Sequence, residues 1–147
     1  MTIRIGLLTA ALLCLFCAPA HAQRGQSLKV GDAAPGLSIA EWVKHAKGHP
    51  EGDVNFEEGT TYVVEFWATW CTPCRKSIPH LTELQSQYEP EQLRIIGISD
   101  EEPQLVKSFV RKMGRKMGYT VAVDKRGGSK RAWMKSAGVN GIPVGFI

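Results

Sequence analysis

Two cysteines separated by two residues, Cys71 and Cys74, are the side chains in this sequence best suited to chemistry. They follow a continuous apolar run, and Pro73 between them fits the first turn of a helix, where a missing backbone N–H costs nothing. Cys71 would then lie at the exposed start of that helix, where free N–H groups and the helix dipole stabilise a thiolate. The spacing therefore predicts thiol-disulfide exchange, with Cys71 as the attacking thiolate and Cys74 as the thiol that resolves the mixed disulfide.

Two other interpretations of the cysteine pair stay open: half of a metal site, and a pair of inert buried thiols. A structural zinc site needs four ligands. His45, His49 and His80 could complete one, although no second cysteine pair remains in the predicted mature chain. Inert thiols exported to an oxidising compartment would tend to pair, and a bridge over so short a loop adds little stability. Redox chemistry is therefore favoured, with no metal and no cofactor, because the electrons reside in the sulfurs.

Glu65 is the only charged residue in the apolar run and lies six residues before Cys71. A buried carboxylate has a raised pKa and could accept the proton of the resolving thiol, whereas a carboxylate at a sheet edge would reach solvent. The run does not decide between these interpretations.

Pro143 is the other marked residue. Since only about 5 to 6% of X–Pro bonds are cis, the base rate favours a trans bond there.

Residues 1–22 have the pattern of a secretory signal peptide, because Arg4 precedes an apolar run, residues 5–18, that ends on Ala20-His21-Ala22. The run is short of the ~20 residues that a membrane-spanning helix needs. We expect cleavage before Gln23, with an uncleaved membrane anchor as the alternative. The predicted location is periplasmic or otherwise extracytoplasmic, without stable membrane insertion if the signal is cleaved. Cleavage would also leave Cys71 and Cys74 as the only cysteines.

The remaining chain, residues 23–147, has the composition of one globular domain. The full sequence of 147 residues is 44% hydrophobic and 22% charged, which is an ordinary balance. Removal of the predicted signal leaves 17 basic and 14 acidic residues, a net charge of +3. This excess is too small to indicate a nucleic-acid partner.

The elements that must position the dithiol alternate between strands and helices. Apolar runs predict strands over residues 62–67, 93–98 and 119–123, and a further strand that begins at Val144. Apolar spacing predicts three helices: one from Cys74 to near Pro90 with a kink near Pro79, one over 101–117 capped by Ser99 or Asp100, and a short one ending at Gly138. We expect an irregular lead before residue 44, a surface loop over 44–52, and residues 53–56 could form a short strand. The order predicts an α/β fold with a partly parallel sheet.

The segment from Phe66 to Cys74, FWATWCTPC, resembles the active-site signature of the thioredoxin family. Gly141-Ile142-Pro143 resembles the loop that carries that family's cis-proline, and Glu65 falls where the family has a buried acidic residue. The resemblance implies a thioredoxin-like fold, with a central mixed β-sheet flanked by helices, a cis bond before Pro143, and a functional role for Glu65. It also implies a substrate site formed by Trp70, Thr72, Pro73, Ile142 and Pro143.

The predicted signal and the lead from Lys29 to Pro35 resemble the extracytoplasmic TlpA/ResA-like branch, which shares its fold with the peroxiredoxins. This resemblance implies an enzyme of cell redox homeostasis that reduces protein disulfides outside the cytoplasm, including those of cytochrome c apoproteins, and is re-reduced by an unidentified donor. The similarity runs from about Lys29 to Ile147, so we expect a chain truncated before the family's final strands and C-terminal helix. Two alternatives stay open. The first is a peroxiredoxin-like peroxide reductase, which would need proline and threonine at the positions of Val64 and Ala68. The second is a non-catalytic thioredoxin-fold binding module, in which Cys71 and Cys74 would form a permanent disulfide.

Overall fold

A five-stranded mixed sheet forms the centre of the structure. The computed structural model describes residues 27–48 and 54–147. In chain order the strands are β1 (Ile39–Lys44), β2 (Thr61–Phe66), β3 (Leu93–Ser99), β4 (Thr120–Asp124) and β5 (Val144–Phe146). Their order across the sheet is β1-β4-β3-β2-β5. Strand β3 is parallel to both β2 and β4, while β1 and β5 pair antiparallel at the two edges. The predicted partly parallel sheet is therefore confirmed.

Helices connect the parallel strands, as βαβ units require. Helix α1 (Thr72–Gln87) links β2 to β3, and α2 (Pro103–Met113) with a following 3₁₀ turn (Gly114–Lys116) links β3 to β4. Helix α3 (Gly128–Lys130) continues as a π-helical turn (Arg131–Lys135). Gly138 follows with a positive φ of 70°, the conformation that glycine supplies at helix ends.

Two predictions about these helices have different outcomes. Helix α1 contains Pro79 in its interior and continues past it, so the kink at that residue stays a prediction. The prediction that Ser99 or Asp100 caps α2 is wrong, because Glu102 occupies the N-cap position. The Ser99 hydroxyl instead exchanges hydrogen bonds with Glu101, accepting from its N–H and donating to its carboxylate.

The segment before β2 differs from its predicted form. Ile39–Lys44 forms the edge strand β1, where an irregular lead is predicted. Two register shifts against β4 interrupt this strand, which obscures the alternation that reveals strands in a sequence. Residues 54–56, which the structure describes, form no strand. The predicted signal peptide, the loop residues 49–52 and Asp53 lie outside the described residues.

The two faces of the sheet bury two separate hydrophobic clusters. Helices α1 and α2 cover one face, whose buried side chains include Trp67, Ile78, Ile95, Val106 and Tyr119. The π-helical turn and the N-terminal segment cover the other face, whose buried side chains include Tyr62, Val64, Phe66, Ile96 and Trp133. Both cysteines belong to the first cluster. Within the described ranges, no helix has the length and apolar character needed to cross a membrane.

Candidate active site

Cys71 and Cys74 form a disulfide bridge across the first turn of α1, with an S–S distance of 2.00 Å and a Cα–Cα distance of 5.2 Å. Cys71 is the N-cap residue, and its Sγ accepts a hydrogen bond from the N–H of Cys74 at 3.2 Å. Pro73 lies in the first helical turn, as predicted. Once the bridge is reduced, that N–H and the positive end of the helix dipole stabilise a Cys71 thiolate.

The bridge is more buried than a helix start implies. Cys71 is 3% exposed and Cys74 is fully buried, so the prediction of an exposed Cys71 is wrong. The N–H of Cys71 bonds the Ala68 carbonyl at 3.1 Å, and both cysteines pack into the cluster beneath α1 and α2. The neighbouring Trp70, by contrast, is 71% exposed. The accessible part of the bridge is therefore small and lies next to a large exposed aromatic ring.

The loop before β5 reaches the same bridge. The Ile142–Pro143 peptide bond is cis, as the resemblance implies. The Ile142 carbonyl oxygen lies 3.8 Å from Cys71 Sγ, and Pro143 is exposed. Trp70 and Ile142 also share the lining of a cavity of about 330 Å³. The structure thus brings Cys71, Trp70, Ile142 and Pro143 to one surface.

Thr72 and Pro73 are exposed at the first turn of α1, next to the bridge. All five residues predicted to bind substrate therefore lie close to Cys71 in the chain or in the cis-proline loop. Their role in binding substrate stays a prediction.

Glu65 lies on the face of the sheet covered by α1 and α2 and is 4% exposed, so the interpretation of a solvent-exposed edge carboxylate is wrong. The Tyr119 hydroxyl donates to Oε2 at 3.1 Å, and the Ser77 hydroxyl lies 3.2 Å from Oε1. Burial raises the pKa of Glu65 from 4.5 to about 7, although both hydrogen bonds act in the opposite direction. Burial, and then the charge of Glu65, raises the pKa of Tyr119, whose hydroxyl therefore stays a donor.

Ser77 connects Glu65 to the backbone of Cys74. Its hydroxyl lies 2.8 Å from the Cys74 carbonyl oxygen and 3.2 Å from Glu65 Oε1. A hydroxyl has one proton, so it cannot donate to both oxygens. When Glu65 is protonated, it can donate to Ser77 while Ser77 donates to Cys74. When Glu65 is ionised, its carboxylate and the Cys74 carbonyl compete for the one Ser77 proton. The protonation of Glu65 is thereby coupled to the hydrogen bond that the Cys74 carbonyl accepts.

A second carboxylate, Glu101, holds the turn that leads into Cys71. Its Oε2 accepts the N–H of Thr69 at 2.6 Å and the Ser99 hydroxyl at 3.0 Å, while Oε1 accepts the Thr69 hydroxyl at 2.7 Å. Ser99 ends β3 and Thr69 follows β2, so this carboxylate ties two neighbouring strand ends together beside the dithiol.

Sequence reasoning misses the site contributions of Ser77, Tyr119 and Glu101. Glu101 is 32 residues from Thr69, and Tyr119 is 54 residues from Glu65. Ser77 follows Cys74 within one helical turn, and that local spacing was the one available signal.

Glycines flank Glu65 on both neighbouring strands, Gly97 on β3 and Gly145 on β5. A methyl group added at Gly97 would lie 2.8 Å from Tyr119 Cε2 and 3.0 Å from Trp67 Nε1. The missing side chain therefore makes room for the Tyr119 ring, whose hydroxyl bonds Glu65. Trp67 Nε1 is buried without a hydrogen-bond partner among the described residues.

The histidines lie apart from the dithiol. His80 is exposed on α1, as predicted, and the exposed His45 follows β1, where its ring contacts Trp42 at a centroid distance of 5.6 Å. In residues 27–48 and 54–147, no group of three or more His, Cys, Asp or Glu side chains is arranged to hold a metal ion. His49 is outside those ranges.

The chain resembles a known family over most of its length. Residues 30–140 match the model of the AhpC/TSA family. The thiol-disulfide oxidoreductase ResA of Bacillus thuringiensis subsp. konkukian is 34% identical over 123 residues, which cover 83% of this chain and 65% of that protein. The chain therefore spans less than two thirds of the length of this relative.

Two solved structures agree with the fold. A protein from Chlorobium tepidum, named as a candidate thiol:disulfide interchange protein DsbE, is 28% identical with a TM-score of 0.62, over 82% of this chain and 77% of that one. A thioredoxin-like superfamily protein is 19% identical with a TM-score of 0.58, over 75% of this chain and 74% of that one, which shows the fold alone. The predicted thioredoxin-like α/β fold is confirmed.

Proposed function

This chain belongs to the AhpC/TSA family, and we propose that it is a thiol-disulfide oxidoreductase that reduces disulfides in other proteins. The observation that carries the proposal is the Cys71–Cys74 bridge at the N-terminus of α1, with the Ile142 carbonyl of the cis-proline loop 3.8 Å from Cys71 Sγ. The likeness to proteins named ResA and DsbE supports the same activity. Val64 and Ala68 stand where a peroxiredoxin needs proline and threonine, and we propose no second function.

The proposed reaction has two exchange steps. The Cys71 thiolate attacks one sulfur of a substrate disulfide, which forms a mixed disulfide and releases the other substrate sulfur as a thiolate. The Cys74 thiol then loses its proton and attacks Cys71 Sγ, which closes the bridge and releases the second substrate thiolate. Two electrons pass from the dithiol to the substrate. A dithiol of another protein must open the bridge again by the same chemistry.

Glu65 is the proposed acceptor of the Cys74 proton. Its pKa of about 7 lets it exchange protons near neutral pH, and Ser77 links it to the backbone of Cys74. A buried carboxylate with an ordinary acidic pKa would be a much weaker base in this step. Glu65→Gln should therefore slow the release of a mixed disulfide by about a hundredfold or more. An unchanged release rate in rapid-quench measurements at neutral pH would contradict this role.

We propose that the protein acts outside the cytoplasm, because the predicted signal peptide would export it. Disulfide-containing proteins are the proposed substrates, and cytochrome c apoproteins are candidates on the resemblance to the TlpA/ResA-like branch. The upstream electron donor is unidentified.

Single cysteine variants test the proposal. Cys71→Ser should abolish reduction of a model protein disulfide, whereas Cys74→Ser should accumulate a mixed disulfide that is visible by mass spectrometry of the alkylated protein. Equal residual activity in both variants would contradict the assigned roles. A redox titration of the unmodified protein adds an independent test, because a bridge that resists physiological reductants would indicate a non-catalytic binding module.

A further inference from the structure

A groove beside the dithiol combines apolar surface with positive charge. It lies between the start of α1 and the side of α2 and has a volume of about 540 Å³. We call it the cationic groove, and define it by three basic and three apolar residues, Arg75, Lys112, Lys116, Leu105, Phe109 and Met113.

The lining of the cationic groove is positively charged, and the Glu101 carboxylate, which bonds the lining residue Thr69, is not itself part of that lining. Among the described residues that line it there is no acidic side chain. In the part of the chain that the structure describes, Arg75, Lys112 and Lys116 form no ion pair, whereas Lys107 pairs with Glu41. Three neighbouring cations without counter-charges attract anionic groups and raise their local concentration.

The floor of the cationic groove suits an apolar side chain. Leu105, Phe109 and Met113 recur at four-residue spacing, so they form one stripe along α2. Leu105 is 50% exposed, and the Phe109 ring packs on Trp67 at a centroid distance of 5.4 Å. The stripe is about 12 Å long, which matches about four residues of extended chain.

The cationic groove opens next to the cysteines. Thr69 also lines it and lies two residues before Cys71, so their Cα atoms are at most about 7 Å apart. Arg75 directly follows Cys74. A chain whose cysteine reaches Cys71 can therefore place its flanking residues in this groove.

We propose that the cationic groove binds an extended acidic segment of the protein that exchanges disulfides with Cys71. An apolar side chain of that segment packs on the stripe of α2, and acidic residues on either side of it pair with Lys112, Lys116 and Arg75. This inference rests on the proposed function for the identity of the partner, while binding of an acidic segment does not depend on redox activity.

The test compares peptides that share one disulfide and one leucine but carry flanking glutamates, glutamines or lysines. The protein should reduce the acidic peptide with a kcat/KM about tenfold above that of the glutamine peptide at low salt, and high salt should diminish this ratio. Lys112→Glu/Lys116→Glu should remove or invert the ratio. The matched control Lys125→Glu/Lys135→Glu changes the net charge equally at two exposed positions outside the groove and should preserve it.

A ratio near one for the unmodified protein, or an equal loss in both double variants, would overturn the proposal. Fluorescence anisotropy with a cysteine-free acidic peptide measures binding separately from disulfide reduction. If the protein bound this peptide but reduced no disulfide, the proposed function would be refuted and the proposed binding in the groove would stand. Absence of peptide binding together with groove-dependent binding to phosphatidylglycerol vesicles would identify an anionic membrane surface as the ligand and also overturn the proposal.

Discussion

Replacing Glu65 with glutamine should make the oxidised protein more stable at high pH and change its stability much less at low pH. Glutamine keeps the size of the side chain and can still accept from Tyr119 and donate to Ser77, but it cannot ionise. The variant therefore removes a buried negative charge and leaves the packing between β2 and α1 in place. The expected effect depends on pH because the charge itself does.

The sign and size of this effect follow from the raised pKa. Below pH 4.5 Glu65 is protonated in both the folded and the unfolded chain, whereas between pH 4.5 and about 7 mainly the unfolded chain loses the proton. The free energy of unfolding therefore falls as pH rises through this window and levels off above about 7. Over the whole window the free energy of unfolding falls by about 3 kcal/mol, and about 2.5 kcal/mol of this fall takes place between pH 5 and pH 8.

Urea denaturation at pH 5 and pH 8, with the disulfide intact, measures this difference directly. The stability advantage of Glu65→Gln over the unmodified protein should grow by about 2.5 kcal/mol between these two pH values. Glu83→Gln, on the exposed side of α1, is the matched control and should show little change with pH. An advantage of equal size at both pH values would refute the reasoning, because a cost that does not vary with pH cannot arise from ionisation.

Three further substitutions test the surroundings of the dithiol. Gly97→Ala should lower the free energy of unfolding by about 1 to 3 kcal/mol, since the added methyl would lie 2.8 Å from Tyr119 Cε2, and an unchanged urea midpoint would argue against this close packing. Glu101→Ala should cost about 1 to 3 kcal/mol, because it leaves the part-buried N–H of Thr69 without its acceptor, whereas the exposed Glu102→Ala should have little effect. Ser77→Ala removes a hydrogen bond that lowers the pKa of the buried carboxylate, so NMR titration should show a higher pKa, and a lower one would contradict the assigned contact.

Features set by neighbouring residues were predictable from the sequence. The apolar run before Cys71 forms β2, Pro73 lies in the first turn of α1, and Cys71 caps that helix. Each depends on contacts within a few residues, where backbone sterics and side-chain type dominate. The cis bond before Pro143 was expected only through the family resemblance, because isolated X–Pro bonds favour trans.

Strand β1 shows where local patterns fail. Its apolar residues do not alternate cleanly with polar ones. Two register shifts against β4 change which face of the sheet the following side chains occupy, so the strict two-residue period is lost. The strand exists because β4 offers it an edge to pair with. That edge belongs to a segment about 80 residues further along the chain.

The sequence by itself determined the dithiol, its place at a helix start and the alternation of strands and helices, since these follow from short-range sterics and hydrophobic periodicity. Only the tertiary structure decided that Cys71 is almost wholly buried and that Glu65 is enclosed by Tyr119 and Ser77. It also decided that Glu101 holds the turn before the bridge. Burial and long-range hydrogen bonds depend on which distant segments pack together, and the pKa of a carboxylate follows from that packing rather than from its neighbours in the chain.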